Sequence, residues 1–351
     1  MTNRTTLIKI AEAAGVSLST VDRVVNRRGG VSPKAEAKVL EWASRLNLDR
    51  KIFRSHLKNL RIAVLMQSPH NPFYQAMRDA FSDLSTTLAD LSLTCFLHYI
   101  DVTDIPATRK KIEEVAESYD GIILTCPDDP RLSDALRLIS GRVPVVTLVT
   151  DLPNSGRIAY VGPDNRQMGR VVGELMGRFI GPGGGDLLIV LGMQRIIGHE
   201  EREMGFRSVL RERFPNCRIV LSLESGEDPT RAGEVVAAAL KNHPGIRGIY
   251  NVSAGNVAIA GTIEELGLAQ KIVMITHELT PSRRRLLRDG VLDAIIDQNP
   301  RQEALRAIEV LGRHFQRAEP KGSETEHTPF DIFIRENCPA LDPCQVTSQK
   351  S

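Results

Sequence analysis

A small all-α headpiece followed by an α/β body of two doubly wound parallel-sheet subdomains is what three features of the sequence predict. The first sixty residues hold two short helical runs joined by a glycine-led turn, and they carry a concentrated positive charge. Beyond residue 60, apolar runs of four to eight residues alternate with amphipathic helical stretches, the pattern of parallel strands covered on both faces. Eleven such runs fit two sheets better than one.

The headpiece opens with TTLIKIAEAAGVSLSTVDRVVN, Thr5 to Asn26. A threonine precedes the apolar positions Leu7, Ile8, Ile10, Ala11 and Ala14, Gly15 stops that helix, and Ser17 offers a hydroxyl to cap the next. This is a helix-turn-helix pattern. At 100° per residue the second helix separates Leu18, Ser19, Asp22, Arg23 and Asn26 from Val21, Val24 and Val25. Any amphipathic surface helix divides this way, so the local charge decides between a reading face and an ordinary wet one. Residues 1–60 contain twelve Lys or Arg against five Asp or Glu, a net +7, whereas the other 291 residues contain 33 against 38, a net −5. A local excess of cations favours a polyanion, because each phosphate contact releases condensed counterions.

After the second helix comes RRGG, a loop by composition, and then Ser32-Pro33, a capping serine followed by proline at the first helical position. Ala35, Val39, Trp42, Ala43 and Leu46 are expected on one face of a third helix, completing a mini-core too small for much stability alone. Residues 48–59, LDRKIFRSHLKN, link it to the body.

The stretch TLIKIAEAAGVSLSTVDRVVNRRGGVSPKAEAKVLEWASRLN resembles the headpiece of the LacI/GalR family of bacterial transcription regulators, with AGVS, TV, RVVN and VS at the family's spacing and no gap. The similarity in motif order extends over nearly the whole chain. It implies that the second helix enters the major groove, with Ser17, Leu18, Ser19, Thr20, Arg23 and Asn26 at the DNA and Arg23 on a phosphate or guanine. Asp22 is unusual there, since it repels phosphate unless it accepts from a cytosine amino group or pairs with Arg23. The resemblance also implies that residues 48–59 form a hinge helix in a DNA-bound dimer, with Leu57 wedged into the minor groove. Leu48, Arg50, Phe53 and Arg54 depart from the family's pattern, and a basic tether with Leu57 against the body is the competing reading.

In the body the expected strands are RIAVLM, LTCFLHYI, GIILTC, VPVVTLV, IAYVG, DLLIVL, RIVLSLE, GIYNV, IVMITHE, LDAIIDQ and FDIFIRE. The layout resembles the periplasmic-binding-protein fold, in which the chain crosses three times between subdomains. The crossings are expected near Gly162 to Asn165, near Gln298 and near residues 322–329. The resulting division is a headpiece over 1–47, a linker over 48–59 and an effector and dimerisation domain over 60–339. Within that domain the N-subdomain takes about 60–163 and 299–322, and the C-subdomain about 164–297 and 326–338. Residues 340–351 read as a disordered tail, being polar and aperiodic. The glycines of Gly181 to Asp186 invite a phosphate-loop reading, but they end a helix and enter a strand, so they are a helix stop.

A cleft between two such sheets lies outside the carboxyl ends of their strands, where open α/β sheets bind ligands. Asn71 and Phe73 follow the first strand and offer an amide for hydroxyls and a ring for an apolar sugar face; a capped helix start is the plainer reading. Asp164 sits at the first crossing, as an acceptor or a helix cap. The resemblance adds Arg202, which matches an arginine that binds ligand hydroxyls or carboxylate, although Glu200, Glu201 and Glu203 beside it also fit a charged helix surface. It adds His277, beside Glu278, at a place where relatives carry an aspartate, and the polar position of Gln298. Asn251 and Asn256 are weaker candidates in a loop of unusual length. Val149 and Thr150 stand where sugar binders of the family have an Asp-Arg pair, so the ligand set is expected to differ.

Hydrophobic content of 42% and charged content of 25% are those of an ordinary soluble globular protein. Neither an apolar run of roughly 18 residues nor a secretion signal is evident, which leads to a cytoplasmic expectation. Five scattered cysteines without a CxxC pair or histidines at metal spacing call for neither a disulfide nor a metal, and no cofactor is implied. No nucleophile elbow, HExxH or Walker motif appears, so no catalytic residue is assigned. The expected protein is a repressor that binds double-stranded operator DNA as a homodimer or tetramer, its affinity set by a sugar or polyol effector. A transport binding protein of the same body fold and an enzyme on a doubly wound body are the alternatives.

Overall fold

The computed structural model describes residues 2–25, 28–46, 58–193, 196–318 and 327–340. The chain divides into two compact units, one comprising Met1–Leu60 and Thr86–Thr94 and the other Arg61–Ser85 and Cys95–Ser351.

The headpiece holds three helices, α1 (Thr2–Ala14), α2 (Leu18–Val25) and α3 (Pro33–Arg45). Helix α1 begins at Thr2, so Thr5 lies inside it and does not cap it. Gly15, at φ 63°, ends α1 in a left-handed conformation that only glycine adopts without strain. Ile10, Ala14, Val21, Val24, Val39 and Ala43 form the mini-core, with Leu7, Val25 and Trp42 packed around it. Leu46, expected on that face, is exposed just past the end of α3. Asn26, Leu57 and most of the 48–59 linker lie outside the described residues.

Among the described residues the body carries eleven strands. Its first sheet has β1 (Leu60–Met66), β2 (Leu93–Tyr99), β3 (Gly121–Leu124), β4 (Val145–Leu148) and β5 (Ala159–Val161) in the order 2-1-3-4-5. The second has β6 (Gly185–Leu191), β7 (Cys217–Glu224), β8 (Ile246–Asn251), β9 (Val273–His277), β10 (Ala294–Asp297) and β11 (Asp331–Phe333) in the order 11-10-9-8-6-7. Pairing is parallel wherever β1, β3, β4 and β5 meet and throughout β6 to β10. Strand β11 departs from the all-parallel expectation and runs antiparallel to β10. Central strands such as β3 and β4 are buried at every position, which is why their sequences read as unbroken apolar runs.

Between them run α4 (Pro72–Asp83), α5 (Ser85–Asp90), α6 (Ile105–Ser118), α7 (Pro130–Ile139), α8 (Asn165–Ile180), α9 (Ile197–Arg213), α10 (Pro229–Asn242), α11 (Asn256–Glu265), α12 (Pro281–Asp289) and α13 (Pro300–His314). The chain leaves the first sheet after Val161, enters α8 at Asn165, and leaves the second sheet after Asp297. Gly181 ends α8 at φ 83° and β6 follows from Gly185.

One packing detail positions the site. A Cβ on Gly169 of α8 would stand 1.9 Å from the Arg202 carbonyl oxygen, and a Cβ on Gly205 of α9 would stand 2.0 Å from that of Arg166. The two helices therefore touch backbone to backbone, with glycine on both sides. That contact sets the depth at which α9 carries Arg202 into the body.

Candidate functional site

On the headpiece, Ser19 and Arg23 are exposed on α2, whereas Leu18, Thr20 and Asp22 are half-buried. Ser17 caps the helix by accepting from the Thr20 N–H at 3.1 Å, and its hydroxyl lies 2.8 Å from both the Ser19 and Thr20 hydroxyls. Asp22 is paired with Arg28, 3.1 Å away. The carboxylate is thus compensated from the following loop, and Arg23 is exposed on the same helix. Ser19, Asp22, Arg23, Arg28, Gly29 and Gly30 enclose a polar concavity on this face.

Inside the body, a cavity of about 70 Å³ lies where the carboxyl ends of the strands of both sheets converge. At roughly 10–15 Å³ per water this is the scale of one small polar molecule. Gln67 follows β1, Thr125 follows β3, Val149 and Thr150 follow β4, Ser253 follows β8, Glu278 follows β9 and Gln298 follows β10, and all line it. Asn71 caps α4, its side chain accepting from the Phe73 N–H at 3.0 Å, so both readings of that turn hold together: it starts a helix and faces the cavity. Phe73 meets Tyr74 edge to face at 5.1 Å, giving the wall an aromatic corner.

The charged centre is Arg202. It is buried, donates through Nε to Asn165 Oδ1 at 2.8 Å and through Nη2 to Gln298 Oε1 at 3.2 Å, and lies 3.7 Å from Glu278 Oε1. Glu278 also accepts from Arg283 at 3.0 Å and from Gln298 Nε2 at 3.1 Å. Burial pushes the Glu278 carboxyl up, and the two neighbouring arginines pull it back. Glu227 is also raised by burial, against a hydrogen bond from Ser253. Burial, reinforced by the positive charge of Arg202, lowers His199 to about 3, which leaves its ring neutral. Behind the site Glu303 is buried on α13 with both carboxyl oxygens lacking a hydrogen bond among the described residues, and burial raises it well above the usual carboxylate range.

Four residues singled out in the sequence, Asn71, Phe73, Arg202 and Gln298, meet at this cavity. Three do not line it. His277 is fully buried and its Nε2 lies 2.7 Å from the Tyr250 hydroxyl, while Glu278 reaches the cavity instead. The reason is the alternation of side chains along a strand, which sends successive residues to opposite faces. Asp164 caps α8 by accepting from the Gln167 N–H at 2.8 Å, and the next residue, Asn165, is the one that holds Arg202. Asn256 accepts from Asn251 at 2.9 Å and donates to the Ser253 carbonyl, closing the loop beneath the wall. Asp151, next to Thr150, is held by Arg157.

Sequence reasoning missed Thr125, His199, Glu227, Ser253 and Arg283. Thr125, Glu227 and Ser253 follow the carboxyl ends of strands that were legible, so a search of those positions would have found them. Among the described residues no group of side chains could hold a metal ion, Cys95, Cys126, Cys217 and Cys338 are free, and no helix is long and apolar enough to cross a membrane.

Fold and cavity together define a two-lobed binding protein that carries a helix-turn-helix headpiece. Residues 62–319 match the periplasmic binding protein domain family and residues 6–49 match the lacI family of bacterial regulatory proteins. The chain belongs to the lacI family of bacterial regulatory proteins, with a periplasmic-binding-protein domain as its body. It is 29% identical over 264 residues to a ribose operon repressor of Halalkalibacterium halodurans, covering 74% of each chain. A D-ribose/D-allose-binding protein of Pseudomonas aeruginosa is 25% identical over 263 residues, 71% of this chain and 80% of that one. The fold is shared with a solute-binding protein of an ABC transporter from Burkholderia graminis, solved with D-arabinose, at a TM-score of 0.74 and 22% identity over 81% of this chain and 98% of that one.

Proposed function

We propose that this lacI-family repressor binds an operator as a cytoplasmic homodimer and that its affinity for DNA is set by a monosaccharide of the ribose and allose type held at Arg202. The observation that carries the reading is the pairing of a cationic reading helix with a cavity whose centre is a buried arginine held by Asn165 and Gln298. Spare guanidinium N–H groups of Arg202 and Arg283 suit hydroxyl oxygens, the Phe73 corner suits an apolar ring face, and the small volume suits one sugar ring. A ribose operon repressor and a D-ribose/D-allose-binding protein among the relatives support that ligand class. A transport binding protein shares the body, and the matched headpiece favours the regulator. On this reading Ser17 and Thr20 orient the helix, Ser19 and Leu18 approach base edges, and Arg23 contacts a phosphate or a guanine. Asn26 and Leu57 remain proposals from the family resemblance. The regulator acts by binding, with no chemical step.

The switch is a shift of population between open and closed arrangements of the two lobes, which alters DNA affinity by about 5- to 150-fold if its coupling is of ordinary size. Selection of duplexes from a random pool by the full chain tests the headpiece. A pseudo-palindromic site is expected, and Arg23→Ala weakens it by more than about 1 kcal/mol with sugar affinity unchanged. Enrichment of no sequence, or equal loss of DNA and sugar binding in Arg23→Ala, contradicts the proposal.

A further inference from the structure

We infer that Glu227, His199 and Ser253 form a second hydroxyl-recognising subsite on the wall opposite Phe73, and that it sets effector specificity by reading one particular hydroxyl of a polyol. This rests on the polyol reading above and adds residues that neither the sequence motifs nor the Arg202 cluster includes.

Four observations carry it. Glu227 lies in the loop after β7 at φ 63°, a left-handed conformation that costs a non-glycine residue about 1–2 kcal/mol. Nothing about helix capping requires it there, because the next residue, Asp228, caps α10 through the Thr230 and Arg231 N–H groups. Space has also been kept for its side chain: a Cβ on Gly192 would stand 1.6 Å from Glu227 Oε1. Gly192 is not among the glycines of positive φ, so it is the carboxylate and not the backbone that needs glycine.

One oxygen of the carboxylate is fixed, and a carboxylate can accept more than one hydrogen bond. Ser253 donates to Oε1 at 3.1 Å, and that oxygen lies 3.8 Å from Nδ1 of the neutral His199 ring, too far for a hydrogen bond. His199 Nδ1 is itself buried without a partner among the described residues. One oxygen about 2.8 Å from each group would serve both. With the proton on Nδ1, a hydroxyl accepts from the neutral imidazole and donates to the carboxylate, and that tautomer gives up the hydrogen bond to the Met193 backbone. An ammonium has no lone pair for the imidazole, and a ligand carboxylate is repelled by Glu227. A deoxy sugar leaves His199 Nδ1 unpaired and the Glu227 carboxylate with Ser253 alone, and a buried group left unpaired is what lets a site discriminate.

Calorimetric titration of the full chain with D-ribose, D-allose and each of their single-deoxy forms tests this. The unaltered chain is expected to lose at least tenfold in affinity at one deoxy position. Glu227→Gln binds the parent sugar at least tenfold more weakly, and its discrimination collapses at that position while persisting at the others. Ser253→Ala, which frees the carboxylate without removing it, repeats the pattern at about threefold. Unchanged parent affinity in Glu227→Gln, or the same loss for parent and every deoxy sugar, overturns the subsite and leaves the sugar reading intact. Failure of the unaltered chain to bind either parent sugar overturns both.

Discussion

The two walls of the cavity are built differently. On the N-terminal side, Asn71, Phe73 and Tyr74 come from one turn that also starts a helix, Gln67, Thr125, Val149 and Thr150 follow strands of the first sheet, and none of these side chains is charged. On the C-terminal side, His199, Arg202, Glu227, Ser253, Glu278 and Arg283 come from separate loops and helices, with four charged side chains and left-handed backbone at Glu227 and Glu278. A neutral wall holds no buried charge that needs a partner. A wall made of buried charges depends on the packing that holds each group against its partner, so it is where mutation should do most.

The largest effect is expected at the helix contact under the charged wall. Gly205→Ala places a methyl 2.0 Å from a backbone carbonyl and forces α8 and α9 apart, at about 3 kcal/mol in a urea titration and with loss of sugar binding. A loss below about 1 kcal/mol would mean that the two walls are equally tolerant. Arg202→Ala comes next. It strips a donor from Asn165 and Gln298, while Arg283 still holds Glu278, so the cost is that of buried acceptors left unpaired, about 1–3 kcal/mol. The exposed face of α2 is untouched, so DNA affinity is retained and only the sugar response disappears.

By contrast Asn71→Ala removes one cap on the neutral wall, at about 1 kcal/mol in thermal unfolding. Glu303 sharpens the comparison through pH. Its folded-state pKa is raised by burial, so the stability it contributes is present below the ordinary glutamate range near 4.5 and is lost as pH rises through the raised value. His199 has the opposite sign, since its lowered pKa makes stability rise between about 3 and 6.5. Urea midpoints of the unaltered chain should therefore fall as pH rises above about 4.5 relative to those of Glu303→Gln. Parallel pH profiles would contradict the assignment of a buried neutral acid.

Legibility followed the same division. Asn71 and Phe73 were readable because cap, proline and aromatic fall within three residues, and the strands were readable because burial on both faces leaves no polar alternation. At the end of β9 the period of two was decisive, since the buried His277 and the cavity-lining Glu278 are adjacent and the resemblance favoured the wrong neighbour. Arg202 was legible only through that resemblance; its burial comes from the glycine contact between α8 and α9, which no local pattern announces. Glu227, in the loop after β7, and His199, in the first turn of α9, are 28 residues apart in the chain and approach each other only in space. The antiparallel β11 was likewise hidden, because an apolar run does not encode its direction.

The claim on which the account turns is that the headpiece and the cavity are energetically linked, and linkage is reciprocal. Sugar affinity measured by calorimetry with and without a saturating selected duplex tests it most directly. The account predicts a change of at least about fivefold, equal to the factor by which the same sugar changes affinity for the duplex. Identical sugar affinity in the two states would contradict it.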